Sequence, residues 1–305
     1  MEKSMKNVKM NGTICFEEEG HKYYDIAHPE YKFTSVTTII EKFGQPFDKE
    51  FWSAYKALQE LLTPDAWAIE KKSLLASKKF DKALLQVHNI SENDFNRAQQ
   101  NILDSWAEEN RKSCERGTKI HADLENSFYK KKKNIDISKY QIGGVFECRK
   151  DYTDLDLENA VYPEYLIHRI TPDGELCIAG QIDLLVKKGN HIIIGDYKTN
   201  KKIELKSFFD SKTKSSVKMK FPLNNLDDSN YWHYCLQLST YAWMMQKLNP
   251  DFIIDDLVLV HFDHNDNMTV YHLPYLKTEV EKMLAFYKKE LKLEENARKR
   301  KRIEY

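Results

Sequence analysis

The pattern of hydrophobic and polar positions predicts short strands and then a helix at the start of the chain. Residues 11–33 alternate in short runs around polar turns, which is typical of β-strands. Residues 36–43 instead repeat apolar side chains at helical spacing, with Thr34 and Ser35 as candidate N-caps and Gly44 at the end. The chain therefore changes from strand to helix near residue 35.

The next part of the chain has a helical pattern throughout. From Asp48 to about Cys114, apolar residues recur every three or four positions, which predicts a helical lobe rather than a chemical centre. A separate helix is predicted over residues 117–129, opening after Gly117.

The second half of the chain alternates strands and helices. In order, the pattern predicts a strand over 161–170, a hairpin over 180–201, a helix over 231–248, strands over 254–264 and 268–273, and a helix from about Lys277. A long polar, lysine-rich segment, residues 199–230, follows the hairpin. Helices around a mostly contiguous mixed sheet indicate an α/β or α+β fold.

The hairpin carries two acids where a sheet normally places core residues. With Gly189–Asn190 as a two-residue type II′ turn, the strands pair so that Asp183 directly faces Asp196. Side chains alternate along a strand, so Lys198 shares the face of Asp196, and Gln181 is opposite Lys198.

Facing carboxylates destabilise a strand pair, and partial burial among neighbouring isoleucines increases the repulsion. A divalent cation between Asp183 and Asp196 removes it, and oxygen ligands favour hard ions such as Mg²⁺ or Mn²⁺. The alternative is an exposed hairpin end with a solvated Asp–Lys pair. The direct opposition of the two acids favours the metal site.

Two pairs of residues at helical spacing are further candidates. His121 and Glu125 are four residues apart and share one helix face, as do Gln237 and Tyr241. The alternative for His121 is a packed or solvated histidine. For Gln237 and Tyr241 it is a position at the edge of the core. Neither pair identifies a site by itself.

Charge, cysteine content and hydropathy narrow the class of protein. The 305 residues include 47 basic and 47 acidic side chains, so any nucleic-acid surface is expected to be a local patch. Five cysteines without a close pair argue against a zinc knuckle, an iron–sulfur cluster or a disulfide framework. No long apolar run predicts a membrane span and no apolar segment resembles a signal peptide, so a cytoplasmic protein is expected.

The candidate residues fall into five short motifs in a fixed order. They are GTKIH at 117–121, the glutamate of YPEYLI at 164, GQID at 180–183, DYK at 196–198 and QLSTY at 237–241. Together they resemble the PD-(D/E)xK nuclease superfamily and, within it, the RecB-like exonuclease branch. The early run TSVTTII followed by FGQPFD resembles phage members of that branch.

The resemblance implies an α/β fold with a restriction-endonuclease-like core, in which a central mixed β-sheet is flanked by helices and preceded by an N-terminal helical lobe. It implies three regions: strands and a helical lobe over 1–115, the nuclease core over 116–275, and a C-terminal basic helix packed on the core over 276–305.

The chain departs from the superfamily pattern at three points. Ile182, rather than proline, precedes Asp183, and the middle acid is Asp196 rather than glutamate. The cysteine cluster of the iron–sulfur members is missing, so no iron–sulfur cluster is expected.

The resemblance also implies roles for individual residues. His121, Asp183, Asp196 and the backbone carbonyl of Tyr197 would bind Mg²⁺ or Mn²⁺. Lys198 would act with the two aspartates in catalysis, orienting the attacking water and offsetting negative charge, since an ammonium among carboxylates stays protonated. Glu125 or Glu164 would bind a second metal through water or organise the shell around the first.

Residues for a DNA path are expected on both sides of the hairpin. By resemblance, Gln237 reaches phosphate or base, Tyr241 stacks on a base, and Gln181 lies beside them. The phosphates need cations, and the segment after the hairpin supplies Lys201, Lys202, Lys206, Lys212, Lys214, Lys218 and Lys220. The alternative is a solvated polar loop.

The implied function is a metal-dependent exonuclease that hydrolyses DNA from ends or single strands, in phage or bacterial recombination, repair or genome processing. Its partners would be single-stranded DNA or duplex DNA ends and a single-strand-binding, helicase or recombination protein. No membrane partner is expected. The location would be the cytoplasm of a bacterium or of a phage host. Two alternatives stay open: a non-catalytic DNA-binding or assembly protein with a nuclease fold, and a structure-specific endonuclease on the same core.

Overall fold

A computed structural model describes residues 8–150, 152–154, 157–210 and 214–303, in which strands and helices alternate. The strands are β1 (Val8–Asn11), β2 (Ile14–Glu17), β3 (Lys22–Asp25), β4 (Phe33–Ser35), β5 (Ile135–Asp136), β6 (Val145–Phe146), β7 (Ala160–Ile170), β8 (Cys177–Lys188), β9 (His191–Lys198), β10 (Phe209–Asp210), β11 (Ser215–Ser216), β12 (Ile253–Phe262) and β13 (Met268–His272). The helices are α1 (Val36–Phe43), α2 (Lys49–Leu61), α3 (Pro64–Ser77), α4 (Ala83–Val87), α5 (Glu92–Lys131), α6 (Asn230–Leu248) and α7 (Lys277–Ile303), with a 3₁₀ turn over Ser138–Tyr140.

The chain divides into two units. The first consists of Met1–Gln45, Lys119–Ser207 and Lys218–Tyr305, and it contains the large sheet. The second consists of Pro46–Thr118 and Phe208–Val217. In the second unit, helices α2, α3 and α4 and the start of α5 enclose their own core of aromatic and aliphatic side chains. The helical pattern predicted between Asp48 and Cys114 is therefore confirmed.

The central sheet of the first unit is mixed and branches at β8. Its strand order is β13–β12–β9–β8–β4, and β7 pairs along the other edge of β8. Two strands pair along the same edge of β8. β4 pairs with the first residues of β8, and β9 pairs with the last residues of β8. The residues between these two stretches, 180–183, have no strand partner on that edge. This gap lies where the candidate acid Asp183 stands.

Helices cover both faces of the sheet. On one face, α1, α6 and α7 contribute side chains such as Ile39, Leu238 and Met283 to a large core with the sheet. On the other face, Phe128 of α5 and the segment 135–142 pack against the sheet in a second core. β9 and β12 run parallel, and α6 lies on the long connection between them, as parallel neighbours require. The predicted fold class, an α/β fold with a central mixed sheet flanked by helices, is confirmed.

Local signals set the start and end of α1 as the sequence predicts. The Ser35 hydroxyl caps the helix by accepting a 3.1 Å hydrogen bond from the backbone N–H of Thr38, and Gly44 is the C-cap. Such a cap satisfies one of the backbone donors that a helix start leaves unpaired.

The predicted break at Gly117 does not occur. α5 is one helix of 40 residues that passes through Gly117 without interruption. A glycine inside a helix costs about 1 kcal/mol relative to alanine, which a helix of this length tolerates. The separate helix over 117–129 is therefore the last part of α5.

Within the described ranges, no helix is both long and apolar enough to cross a membrane.

Candidate metal centre

The predicted hairpin forms, and its two acids come just after its paired residues. β8 and β9 pair in the register that the Gly189–Asn190 turn predicts, with φ of +59° at the first turn residue. The ladder ends one position before Asp183 and Asp196. Asp183 Oδ2 instead accepts a hydrogen bond of 2.7 Å from the backbone N–H of Tyr197. The two acids therefore lie where β8 and β9 begin to separate.

A second pair of opposed acids interrupts the pairing of β7 with β8. The register places Glu164 opposite Asp183, and the ladder skips this one position. Tyr162 and Tyr165 pack in the same core although they are three positions apart, which strict alternation along a strand does not allow. Glu164 has φ of +53°, a left-handed conformation that costs a non-glycine residue on the order of 1–3 kcal/mol. The regular alternation of side chains along β7 is therefore interrupted at Glu164.

His121 lies near the end of α5 and completes a cluster with these acids. Its Nδ1 is 3.6 Å from Glu164 Oε1 and 3.6 Å from Asp183 Oδ2. Its Nε2 is 3.1 Å from the carbonyl oxygen of Tyr197. Because a carbonyl oxygen only accepts, Nε2 carries the proton of that bond. Nδ1 is therefore the ring atom that a neutral His121 presents to the acids.

The cluster fits a divalent cation. One ligand atom from each of His121, Glu164 and Asp183 lies within 4.8 Å of the other two. An imidazole nitrogen with two carboxylate oxygens suits Mn²⁺ as well as Mg²⁺. The carboxylates are largely buried, with 12% and 9% of their side-chain surfaces exposed, so a cation would offset a repulsion that water screens little. These three residues can therefore hold a metal ion.

Two of the three residues in the metal-free cluster, Asp183 and His121, bind protons more strongly than isolated side chains do. Burial, reinforced by the charge of Asp196, raises the pKa of Asp183 to about 7. Burial opposes protonation of His121, but the carboxylates of Asp183 and Glu164 outweigh it and raise the pKa to about 9. Burial also acts to raise the pKa of Glu164, yet His121 and Lys9 together bring it below its usual value. A cation that binds here at neutral pH displaces protons.

Asp196 and Lys198 form a separate ion pair next to the cluster. The Asp196 carboxylate is 1% exposed; its Oδ2 is 2.5 Å from Lys198 Nζ, and its Oδ1 accepts a 2.9 Å hydrogen bond from Gln237. Burial disfavours the ammonium of Lys198, but Asp196 and then Asp183 outweigh it and raise its pKa above the usual range. Lys198 therefore stays a cation.

The predicted and observed groupings of acids differ in one member. The prediction joins Asp196 to His121 and Asp183, whereas the structure groups Glu164 with them and engages both oxygens of Asp196 elsewhere. The carbonyl of Tyr197, a predicted ligand, accepts the bond from His121. Asp196 and Tyr197 as metal ligands stay predictions.

The structure places Gln237 and Tyr241 on the buried face of α6. Both are buried, with 7% and 3% of their surfaces exposed. Gln237 Nε2 donates to Asp196 and lies 3.3 Å from the hydroxyl of Tyr241. Tyr241 belongs to the large core, where its ring packs against Gly180. Gln237 thus contacts Asp196, and Tyr241 contacts Gln237. The DNA-binding roles of both residues stay predictions.

Gly180→Ala is expected to lower the free energy of unfolding by about 1–3 kcal/mol, which urea denaturation measures. A Cβ at this position would lie 2.5 Å from Cε1 of Tyr241, so the ring must move. Gly143→Ala is the matched control, because nothing lies within 4 Å of the Cβ it would add. Equal stability of the two variants would show that Tyr241 is not held against β8.

Two of the predicted DNA-binding lysines have structural partners. Lys218 forms an ion pair with the largely buried Asp227, which ties together two parts of the loop before α6. Lys220 Nζ donates to the carbonyl of Lys42, and its backbone N–H donates to the carbonyl of Phe43. Both contacts hold the loop against the end of α1, a role that the sequence pattern did not indicate.

The remaining predicted DNA-binding residues have other surroundings. Lys202 is exposed and pairs with Glu204, and Lys201 is exposed. Gln181 is half-buried in β8 and faces a residue of β7 in the register, so its predicted pairing with Lys198 is not formed. Lys212 lies outside the described residues.

Lys9 belongs to the cluster, although no signal in the sequence marks it. Its Nζ is 3.3 Å from Glu125 Oε1 and 3.5 Å from Glu164 Oε2. Lys9 lies more than a hundred residues from either acid in the chain, and nothing in its local pattern distinguishes it from other lysines. Only the packing of β1 beside β7 brings it here.

Comparisons with known proteins give distant similarities. No family model and no curated protein matches the chain. The structure of a candidate exonuclease from Eubacterium rectale is 10% identical, covering 85% of this chain and 79% of that one with a TM-score of 0.32. The structure of the protein SSO0001 is 17% identical over 40% of this chain with a TM-score of 0.24, and the chain covers 46% of its length.

Proposed function

We propose that the protein is a metal-dependent DNA exonuclease of the RecB-like branch of the PD-(D/E)xK superfamily. The observation that carries the proposal is the buried group His121, Glu164 and Asp183 beside the ion pair of Asp196 and Lys198. A cation site with an adjacent fixed ammonium is what hydrolysis of a phosphodiester needs. The five motifs, taken as a resemblance, supply the substrate class and the choice of branch.

The bound cation would lower the pKa of a water molecule and neutralise charge on the scissile phosphate. Asp183 and Glu164 are the carboxylates that hold it, and Tyr197 fixes the ring of His121 through Nε2. Each of these side chains is anchored by its own strand or helix, so the ligand atoms need little rearrangement before binding.

Lys198 would donate hydrogen bonds to the attacking water or to a phosphate oxygen. Its raised pKa excludes it as a general base at neutral pH, so its contribution is positioning and positive charge. Asp196 holds the ammonium, and Gln237 holds Asp196, which makes a chain of contacts from α6 to the reacting groups. The side chain of Lys198 keeps 20% of its surface exposed, whereas Asp196 is almost fully buried.

A non-catalytic binding protein is the less favoured alternative. Glu164 keeps a left-handed backbone and Asp183 stays buried next to other acids. Both features destabilise the metal-free fold, and binding to DNA alone requires neither. Strain and buried charge at one point are typical of a site that holds a reacting group.

The proposal is tested with linear single-stranded and duplex DNA labelled separately at each end, with Mg²⁺, with Mn²⁺ and with EDTA. Metal-dependent release of short products from an end is the expected result, with closed circular DNA left intact. Cleavage of the circle would favour the endonuclease alternative. Shifted but uncut DNA under every metal condition would favour the binding protein.

Binding of Mn²⁺ is expected to release protons and to strengthen as the pH rises from about 6 to about 9. The ligand forms are neutral His121 and ionised Asp183, whose metal-free pKa values are about 9 and about 7. Below each pKa, each displaced proton raises the apparent association constant about tenfold per pH unit. Calorimetry in two buffers of different ionisation enthalpy measures the protons released. A binding constant that stays level over this range would contradict the ligand assignment.

We propose a role in recombination, repair or genome processing in a phage or bacterium. The support is the resemblance of the motifs, with DNA ends or single strands as substrate and a single-strand-binding, helicase or recombination protein as partner. The boundaries at residues 115 and 275 and a cytoplasmic location are part of the same proposal.

A further inference from the structure

The N-terminal strand β1 is anchored beside the metal centre. Asn11 is 2% exposed, and its Nδ2 donates a 2.9 Å hydrogen bond to the carbonyl of Leu166 in β7. Lys9 and Glu164 each lie two residues before these partners in their strands, on the same side of the contact. The Asn11 contact therefore places Lys9 next to Glu164.

The ammonium of Lys9 lies between two carboxylates. Its Nζ is 3.3 Å from Glu125 Oε1 and 3.5 Å from Glu164 Oε2. The other oxygen of Glu164, Oε1, is the one directed at His121. Glu164 thus bridges two cationic positions, one beside His121 and Asp183 and one occupied by Lys9.

This arrangement resembles a two-cation site in which one cation belongs to the chain. Where two metals share a site they lie about 3.5–4 Å apart and are bridged by common ligands. Glu164 has the geometry of such a bridge, and Glu125 would be the outer ligand of the second ion. A fixed ammonium in that position repels a second divalent cation. It also occupies the carboxylate oxygens of Glu125 and Glu164 that this second cation would need as ligands.

We infer that Lys9 is a built-in cation that takes the position of a second divalent ion between Glu125 and Glu164, so that the centre binds a single metal. The inference rests on the proposed metal centre. A surface ion pair of no consequence would not need the anchor at Asn11, and the side chain of Lys9 is 27% exposed rather than free in solvent. Lys9 is a positioning residue in this account.

The test is the number of Mn²⁺ ions bound, measured by electron paramagnetic resonance of free Mn²⁺ and by calorimetry. The wild-type protein and Lys9→Arg are expected to bind one ion, and Lys9→Met two. Lys22→Met is the matched control, because Lys22 is an exposed lysine of β3, which belongs with β1 and β2 to one three-stranded sheet. This variant is expected to bind one ion. Glu125→Gln added to Lys9→Met is expected to return the number to one.

Two results overturn the inference: two ions in the wild-type protein, or one ion in folded Lys9→Met. No ion in the wild-type protein instead removes the proposed metal centre, so the two failures are distinguishable. If Lys9→Met does not fold, Glu125→Gln alone decides. It is expected to leave the Mn²⁺ affinity within about threefold of wild type, and a loss beyond about tenfold makes Glu125 a ligand and overturns the inference.

Discussion

Asp183→Asn is expected to abolish Mn²⁺ binding and to lower DNA cleavage by roughly a thousandfold or more, while leaving the metal-free protein at least as stable. The carboxamide oxygen can still accept the hydrogen bond from Tyr197, so the separation of β8 and β9 is preserved. What is lost is the negative charge that holds the cation between His121 and Glu164.

The stability of this variant depends on pH in a defined direction. Burial and Asp196 raise the folded-state pKa of Asp183 to about 7 from its ordinary value of 3.8. Its contribution to stability is therefore fully present below pH 3.8 and is lost as the pH rises through about 7. Asn is neutral at every pH, so the stability of Asp183→Asn relative to wild type is expected to increase between pH 3.8 and about pH 7 and to stay level above that. Denaturant titrations at pH 6 and pH 8.5 measure the difference.

Asp251→Asn is the matched control, since Asp251 is exposed after the end of α6. It is expected to leave Mn²⁺ binding, cleavage and stability unchanged. Retained Mn²⁺ binding in folded Asp183→Asn would remove Asp183 from the ligand set, and the proposed metal centre would have to be rebuilt around other residues.

Lys198→Met is expected to lower cleavage by about a hundredfold to a thousandfold while Mn²⁺ still binds. It is also expected to destabilise the fold by about 3–5 kcal/mol, because Asp196 is 1% exposed and would lose its cationic partner. Cleavage rates at saturating Mn²⁺ and urea denaturation measure the two effects. The combination separates Lys198 from Asp183, whose replacement removes metal binding.

The control for Lys198→Met is Lys188→Met, at the exposed end of β8. It keeps the Asp196 pair intact and is expected to cleave as wild type does. A folded Lys198→Met protein with full activity would contradict the catalytic role of the ammonium. Unchanged stability would show that Asp196 protonates or finds another partner when Lys198 is absent.

Local signals in the sequence were enough to predict the hairpin and α1. A glycine in the first turn position fixes the register of β8 and β9, and hence the position of Asp183 opposite Asp196. Ser35 and Gly44 set the ends of α1 through contacts within a few residues. In both cases the interactions that decide the structure lie close together in the chain.

Features decided by distant contacts were missed. Gly117 is a weak breaker, and the turns on both sides of it keep α5 continuous. The left-handed Glu164 depends on how β7 meets β8, and the position of Lys9 depends on the anchor of β1 at Leu166. Gln237 and Tyr241 have the predicted spacing, but only the docking of α6 shows that Gln237 contacts Asp196 and that Tyr241 contacts Gln237.

The most direct measurement is an anomalous difference map from a crystal of the wild-type protein soaked in Mn²⁺. A peak is expected in contact with His121 Nδ1, Glu164 Oε1 and Asp183 Oδ2, with Lys198 still paired to Asp196. A peak elsewhere in the protein, or no peak at these three residues, would contradict the proposed metal centre.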